Sequence, residues 1–349
     1  MTDAPSPAPQ PSRRGGLRVF APTAALLVLA FAWTGFWFFA ADRAGDAVDV
    51  WLKREARSGR VYDCAERRIS GFPFRIELEC TNPTARLPGD GGEVTASAPR
   101  FVAVAQVYDP KRLIGELTGP VAITGADGSR ADLAFSLAQA SARIEGERVE
   151  RGSIAVTAPR LVVDQTEIGT ARSVEAHLRR APDGEAGAYD VAAALDAGGS
   201  PALDMVPLGA GPVTLEFQGR ATGLDDLRPR PTSERLRAFA EAGGRLKVAV
   251  AKATRGDVAA DAKGDLWLDV QGRANGALDV TARGIDGLVK SLFAGDEGGA
   301  LSSLLGASAK MLGRRAELDG RPATTYRLPP HKGRVSLGPI RLTRLPPAF

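Results

Sequence analysis

Phe74-Arg75-Ile76-Glu77-Leu78-Glu79-Cys80 alternates apolar and charged side chains without a slip. Successive side chains of an extended chain point to opposite faces, so Phe74, Ile76, Leu78 and Cys80 share one face and Arg75, Glu77 and Glu79 the other. One apolar and one polar face describe an antiparallel sheet packed on one side and wet on the other. Upstream lie Gly71-Phe72-Pro73 and, further back, Cys64. Folding the segment as a hairpin about Phe72 sets Cys64 opposite Cys80 and Arg67 opposite Glu77. A directly opposed pair has the Cα separation a disulfide needs, so a Cys64–Cys80 bond is expected, contributing roughly 3 kcal/mol through loop closure. Two free buried thiols are the alternative; the chain has no Cys-x-x-Cys of a redox pair.

The same alternation recurs downstream between Gly, Pro and Asp punctuation. Leu133, Phe135 and Leu137 form one stripe, Val174, Ala176 and Leu178 another, then Tyr189 to Leu195, Val213 to Phe217 and Leu246 to Val250. Leu266 to Ala282 reads as a hairpin turning through Ala274-Asn275-Gly276. Two echoes suggest repeated construction: Ala98-Pro99-Arg100 with Ala158-Pro159-Arg160, and Leu215 to Gly223 with Leu268 to Gly276. Helices are expected at three places: Glu234 to Glu241, capped by Thr232 or Ser233, then Asp286 to Phe293 and Leu301 to Leu312. Arg334 to Leu342 reads as a closing strand or pair. The fold class is therefore mainly β with a few helices, built of large antiparallel, meandering amphipathic sheets.

Upstream of the strands, Val19 to Ala41 carries no charge and makes a helix of about 34 Å, enough for a bilayer core of about 30 Å. Arg13, Arg14 and Arg18 precede it and Asp42, Asp46 and Asp49 follow, which keeps the N-terminus cytosolic and sends the rest across. A cleaved signal peptide is the competing reading, through the small-x-small triplet Ala30-Phe31-Ala32. Against it, the apolar run continues through Trp33, Phe36, Trp37, Phe38 and Phe39, and Trp33 and Trp37 suit the outer interface. Residues 42–59 read as a juxtamembrane helix that docks on the domain or lies at the interface with Trp51 as its anchor. The division is a disordered tail over 1–16, an anchor over 17–41, that helix, and a β-rich domain over 60–349, with sub-lobes 60–230 and 231–349.

Composition sets further bounds. The 349 residues carry a net charge of only +4, with no basic stripe of the kind nucleic acid requires. The two histidines, His177 on a polar strand face and His331 in a Pro-Pro-His-Lys-Gly turn, have no partner at metal spacing. No nucleophile elbow, phosphate loop or dinucleotide fingerprint occurs. No catalytic residue, metal or cofactor is expected, and the function is read as non-enzymatic. Phe72, Phe74 and Arg75 are the candidate contacts for a lipid or a partner, though Gly71 and Pro73 also suit a purely structural bend.

The anchor, Trp51, Gly71-Phe72-Pro73-Phe74-Arg75 between two cysteines, the Ala-Pro-Arg strands and Gly338-Pro339-Ile340 before Pro346-Pro347 resemble an uncharacterised, mainly alphaproteobacterial family, domain of unknown function 2125. A looser likeness is to the AsmA-like envelope proteins, which share one N-terminal anchor and repeated amphipathic strands. These resemblances imply a single-pass inner-membrane protein with a periplasmic domain that binds or guides a lipid on an apolar trough. The alternative is an envelope scaffold that recruits a protein partner through sheet edges. An unfilled apolar trough would favour the first reading, and a filled core with one exposed patch the second.

Overall fold

The computed structural model describes residues 15–146, 148–182, 187–205, 209–284, 313–338 and 340–349. The segments expected to be helical at 286–293 and 301–312, and the tail up to residue 14, lie outside the described residues. One helix, α1 (Gly15–Arg57), runs through both the apolar run and the juxtamembrane segment and begins inside the expected tail. Its stretch Phe20–Arg57 is long and apolar enough to cross a membrane.

Beyond α1 the chain lays strands alternately into two antiparallel sheets. The smaller sheet starts with β1 (Val61–Asp63), and the larger takes β2 (Glu66–Ser70) and β3 (Arg75–Thr81). Then β4 (Thr84–Gly89) and β5 (Gly92–Ser97) return to the smaller, and β6 (Arg100–Gln106) and β7 (Asp109–Thr118) to the larger. The alternation continues with β8 (Val121–Thr124) and β9 (Arg130–Ala134), β10 (Leu137–Glu145) and β11 (Arg148–Thr157), and β12 (Arg160–Val163) and β13 (Thr166–Thr170). From β14 (Ser173–Arg180) and β15 (Tyr189–Gly198) the chain stays in the larger sheet.

There it adds β16 (Val213–Ala221), β17 (Arg245–Arg255), β18 (Val258–Leu268) and β19 (Ala274–Arg283). The last members are β20 (Arg314–Leu318) and β21 (Arg321–Leu328), which complete a 14-stranded sheet beside a 7-stranded one. A final hairpin, β22 (Arg334–Leu337) with β23 (Ile340–Arg344), closes the chain as a pair. Two short helices, α2 (Pro201–Asp204) and α3 (Thr232–Glu241), sit in connections of the larger sheet.

The two sheets meet along a crease. Asn82-Pro83, Ala98-Pro99, Gly119-Pro120 and Ala158-Pro159 each carry the chain from one sheet to the other. Proline suits the step because it has no N–H to leave unpaired where the chain quits a ladder. Neighbouring crossings bond to each other: Asn82 N donates to Pro99 O at 2.9 Å, Ala98 N to Pro83 O at 3.1 Å and Ala158 N to Arg172 O at 2.8 Å. The Ala-Pro-Arg echo thus marks crossings of opposite sense, small-to-large at Pro99 and large-to-small at Pro159. The other echo has no structural counterpart, since Leu215 to Ala221 lies in β16 whereas Leu268 to Gly276 contains a turn.

Three local expectations are corrected. The β2–β3 register pairs Arg67 with Cys80 and Ser70 with Glu77, because the turn at residues 71–74 is wide and Arg75 N bonds back to Gly71 O. The β18–β19 turn falls at Asp269 to Arg273, before Asn275-Gly276, because the Asp269 carboxylate accepts the N–H groups of Gln271 (3.1 Å) and Arg273 (3.0 Å). The N-cap of α3 is Pro231, without a side-chain cap bond. Ser233 turns its hydroxyl and N–H onto Asp90 in the β4–β5 turn.

Adjacent strands rotate by roughly 20–25°, so the eight steps from β2 to β16 accumulate about half a turn. Consistent with that sweep, the β16–β17 connection reaches the C-terminal end of α1, where Arg60 donates to Pro229 O at 3.2 Å.

Candidate functional site

Each sheet has one apolar face, and the registers make those faces continuous. On the larger sheet Cys80, Phe101, Leu117, Ala138, Val156 and Val174 stand opposite one another in turn from β3 to β14. A second row on that face runs Leu78, Ala103, Gly115, Ala140, Ile154 and Ala176. On the smaller sheet Tyr62, Ala85, Ala96, Ile123, Ala131 and Val163 form the matching row. The other face of the larger sheet is mixed, with Glu79, Glu116, Gln139 and Glu175 in a row that also holds Val102 and Ala155.

The two apolar faces turn toward each other at the crease and enclose an open cavity of about 580 Å³. Leu78, Phe101 and Leu117 line one wall, Tyr62, Ala85, Ala96 and Val121 the other, and Val48, Trp51 and Leu52 of α1 close one end. The walls do not interlock as a close-packed core would. Among the described residues no large side chain is fully buried, and Ile154, on the inner row, is 54% exposed. Alanine and glycine fill much of the inner rows, which leaves room between the walls. The Cys64–Cys80 disulfide lies in the cavity wall where β1 passes into β2, with Cα atoms 5.5 Å apart. It forms despite the shifted register because Cys64 stands outside the β2 ladder, in the crossing between sheets.

The aromatic candidates gather at the opposite end of β2–β3. Trp33 Nε1 donates to Pro73 O and Trp37 Nε1 to Arg75 O, each at 2.9 Å. Trp37 meets Phe72 edge-on at 5.5 Å and Trp33 lies 6.2 Å from Phe74. Trp37, Ala41 and Val107 form a small buried cluster with Ile69 and Ile76, so α1 is part of the domain's packing. Arg75 pairs with Glu77 at 3.2 Å. Trp51, expected as an interfacial anchor, stacks on Tyr62 at 5.1 Å in the cavity wall, about 21 Å along the helix from Trp37.

Asp63 and Arg67 line the trough among its apolar walls, and Arg67 pairs with Asp49 of α1 at 2.6 Å. At the end of α1 the buried Glu55 accepts from Arg60 Nε at 2.5 Å. That hydrogen bond holds the Glu55 carboxyl below its ordinary range, against the opposing effect of burial. In the β16–β17 connection the Arg228 guanidinium pulls Asp226 down to about 2. His177 is exposed on the mixed face, 3.0 Å from Ser153 Oγ and 3.4 Å from Glu175. His331 bridges to Arg334 in a turn. No group of three His, Cys, Asp or Glu among the described residues is placed to hold a metal ion.

The sequence pointed to Phe72, Phe74, Arg75 and the cysteines, and missed the wall residues Tyr62, Ala85, Ala96, Phe101, Leu117 and Val121. Their signal was present as alternation in short strands, but alanines such as Ala85 and Ala96 diluted its contrast. No curated protein and no solved structure matches the chain. The family model described as "Uncharacterized protein conserved in bacteria (DUF2125)" matches residues 37–346, from Trp37 in the turn-binding part of α1 to the chain's last prolines, and the chain belongs to that family.

Proposed function

We propose that this is a single-pass bacterial inner-membrane protein whose periplasmic domain holds acyl chains of a lipid in the trough between its two sheets, without catalysing a reaction. The carrying observation is the 580 Å³ apolar cavity walled by both sheets and α1. Its volume falls within the roughly 300–1,000 Å³ range of small-molecule sites. Three further features support the reading. The apolar faces extend well beyond the cavity from strand to strand, many of the inner side chains are small, and the helix that closes one end is long enough to span a bilayer. The arginines before the apolar run and the aspartates after it favour export of the domain.

The test is photocrosslinking of the full chain in its native membrane, with a benzophenone amino acid at Leu117 inside the trough or at Glu116 on the mixed face. The expected result is lipid adducts by mass spectrometry from position 117 and not from 116, reduced several-fold by Ala96→Phe, which fills the opposite wall. Equal labelling at both positions, or protein adducts alone at 117, would overturn the lipid reading. Protein adducts would favour the scaffold.

A further inference from the structure

The β2–β3 turn reaches far down α1. Its partner Trp33 is eight residues short of Ala41, so the turn lies about 12 Å inside the end of the apolar run. The β6–β7 turn docks beside it, with Val107 N donating to Phe74 O at 3.1 Å. Together the two turns expose Phe72 (52%), Phe74 (63%) and Tyr108 (68%) next to the equally exposed Phe36, Phe38 and Phe39 of the helix. Phe38 stacks on Phe72 at 6.4 Å, which makes the helix and turn surfaces one continuous apolar patch.

In water such a patch calls for a partner. Beside a helix that spans a bilayer, lipid itself covers it. Much of the β2–β3 turn's carbonyl backbone suits that setting, because hydrocarbon offers no partner to an open carbonyl. The carbonyls of Gly71, Pro73, Phe74 and Arg75 all accept hydrogen bonds from within the protein, and Pro73 has no N–H. The Arg75 side chain, 60% exposed, is long enough to carry its charge back to the head groups.

We propose that the turns at residues 71–74 and 107–108 form a second membrane contact, sunk into the leaflet that α1 enters from the domain side. The bilayer then grips the domain at two points and fixes the height and orientation of the trough. The proposal rests on α1 spanning the membrane, and the experiment separates the two claims. The native cysteines are joined, so single cysteines at exposed positions accept a nitroxide selectively: Phe74→Cys, Tyr108→Cys, Gly91→Cys in the β4–β5 turn and Leu27→Cys within α1.

The full chain is placed in nanodiscs of phosphatidylethanolamine and phosphatidylglycerol. Collision of each label with oxygen is compared with collision with a water-soluble nickel chelate. Labels at 74, 108 and 27 are expected to give an oxygen-to-nickel ratio several-fold above the label at 91. A ratio at 74 and 108 equal to that at 91, with 27 still lipid-like, would overturn the second contact and leave the span intact. A water-like ratio at 27 would overturn both.

Discussion

Midway along α1, at Trp33 and Trp37, the helix meets the domain through aromatic rings and backbone carbonyls; at its Glu55 end it meets the domain through a buried pair of opposite charges. The first contact buries Trp37, keeps Phe72 and Phe74 facing outward and has no titrating group in its hydrogen bonds. The second places Glu55 and Arg60 at 3% and 8% exposure and passes a bond on to Pro229 in the β16–β17 connection. One helix is thus fastened twice, by aromatic rings at its middle and by charges near its C-terminal end. The comparison teaches that the helix is a structural member of the domain along much of its length rather than a tether with a free joint.

The largest way to break the symmetry is at the charged end. Glu55→Ala leaves Arg60 buried without its partner and should cost about 3–5 kcal/mol in denaturant unfolding of the full chain. Removing the disulfide with Cys64→Ser and Cys80→Ser together should cost about 3 kcal/mol by the loop-closure argument, with Trp37 fluorescence at the other end little changed. Trp37→Phe keeps the ring and removes the donor to Arg75 O, and a cost of about 1–3 kcal/mol is expected for the carbonyl left behind. The exposed Asp49–Arg67 pair, 2.6 Å apart between those two contacts, should matter least: Asp49→Ala is expected to change stability by less than about 1 kcal/mol.

Acid sharpens the same contrast. Glu55 is held below the ordinary glutamate value of about 4.3, so its contribution is fully present above that pH and is lost as pH falls through the lowered value. Asp226 behaves likewise, losing its contribution as pH falls toward about 2. Hydrogen exchange below pH 4 should therefore open the Glu55 end first while the amides around Trp33 and Trp37 stay protected. Equal opening at both contacts would contradict the division of chemistry.

The strands, their apolar faces and the cysteine bond were legible because each is written locally: alternation reports a half-buried strand, and two cysteines beyond a membrane-length helix report an oxidised pair. The hairpin register was not. A turn centred on Phe72 is the compact solution for an isolated segment, but here Pro73 and Arg75 bind tryptophans some forty residues earlier, and that contact selects a wider turn. The cap of α3 failed for the same reason, its acceptor being Asp90 in the β4–β5 turn. The pairing of two sheets along one crease was invisible because Ala-Pro-Arg looks the same whichever way the chain is crossing.

The alternation of hairpins between the sheets gives the architecture a rule of growth. Each added pair of hairpins widens both walls together by two strands, about 10 Å, without disturbing what was laid down before. A chain synthesised from its N-terminus would complete the groove in order, outward from the helix, each new hairpin laid on the edge of the last. The stitch stops at β13, so the length of the groove is set by where the alternation ends and not by the length of the chain.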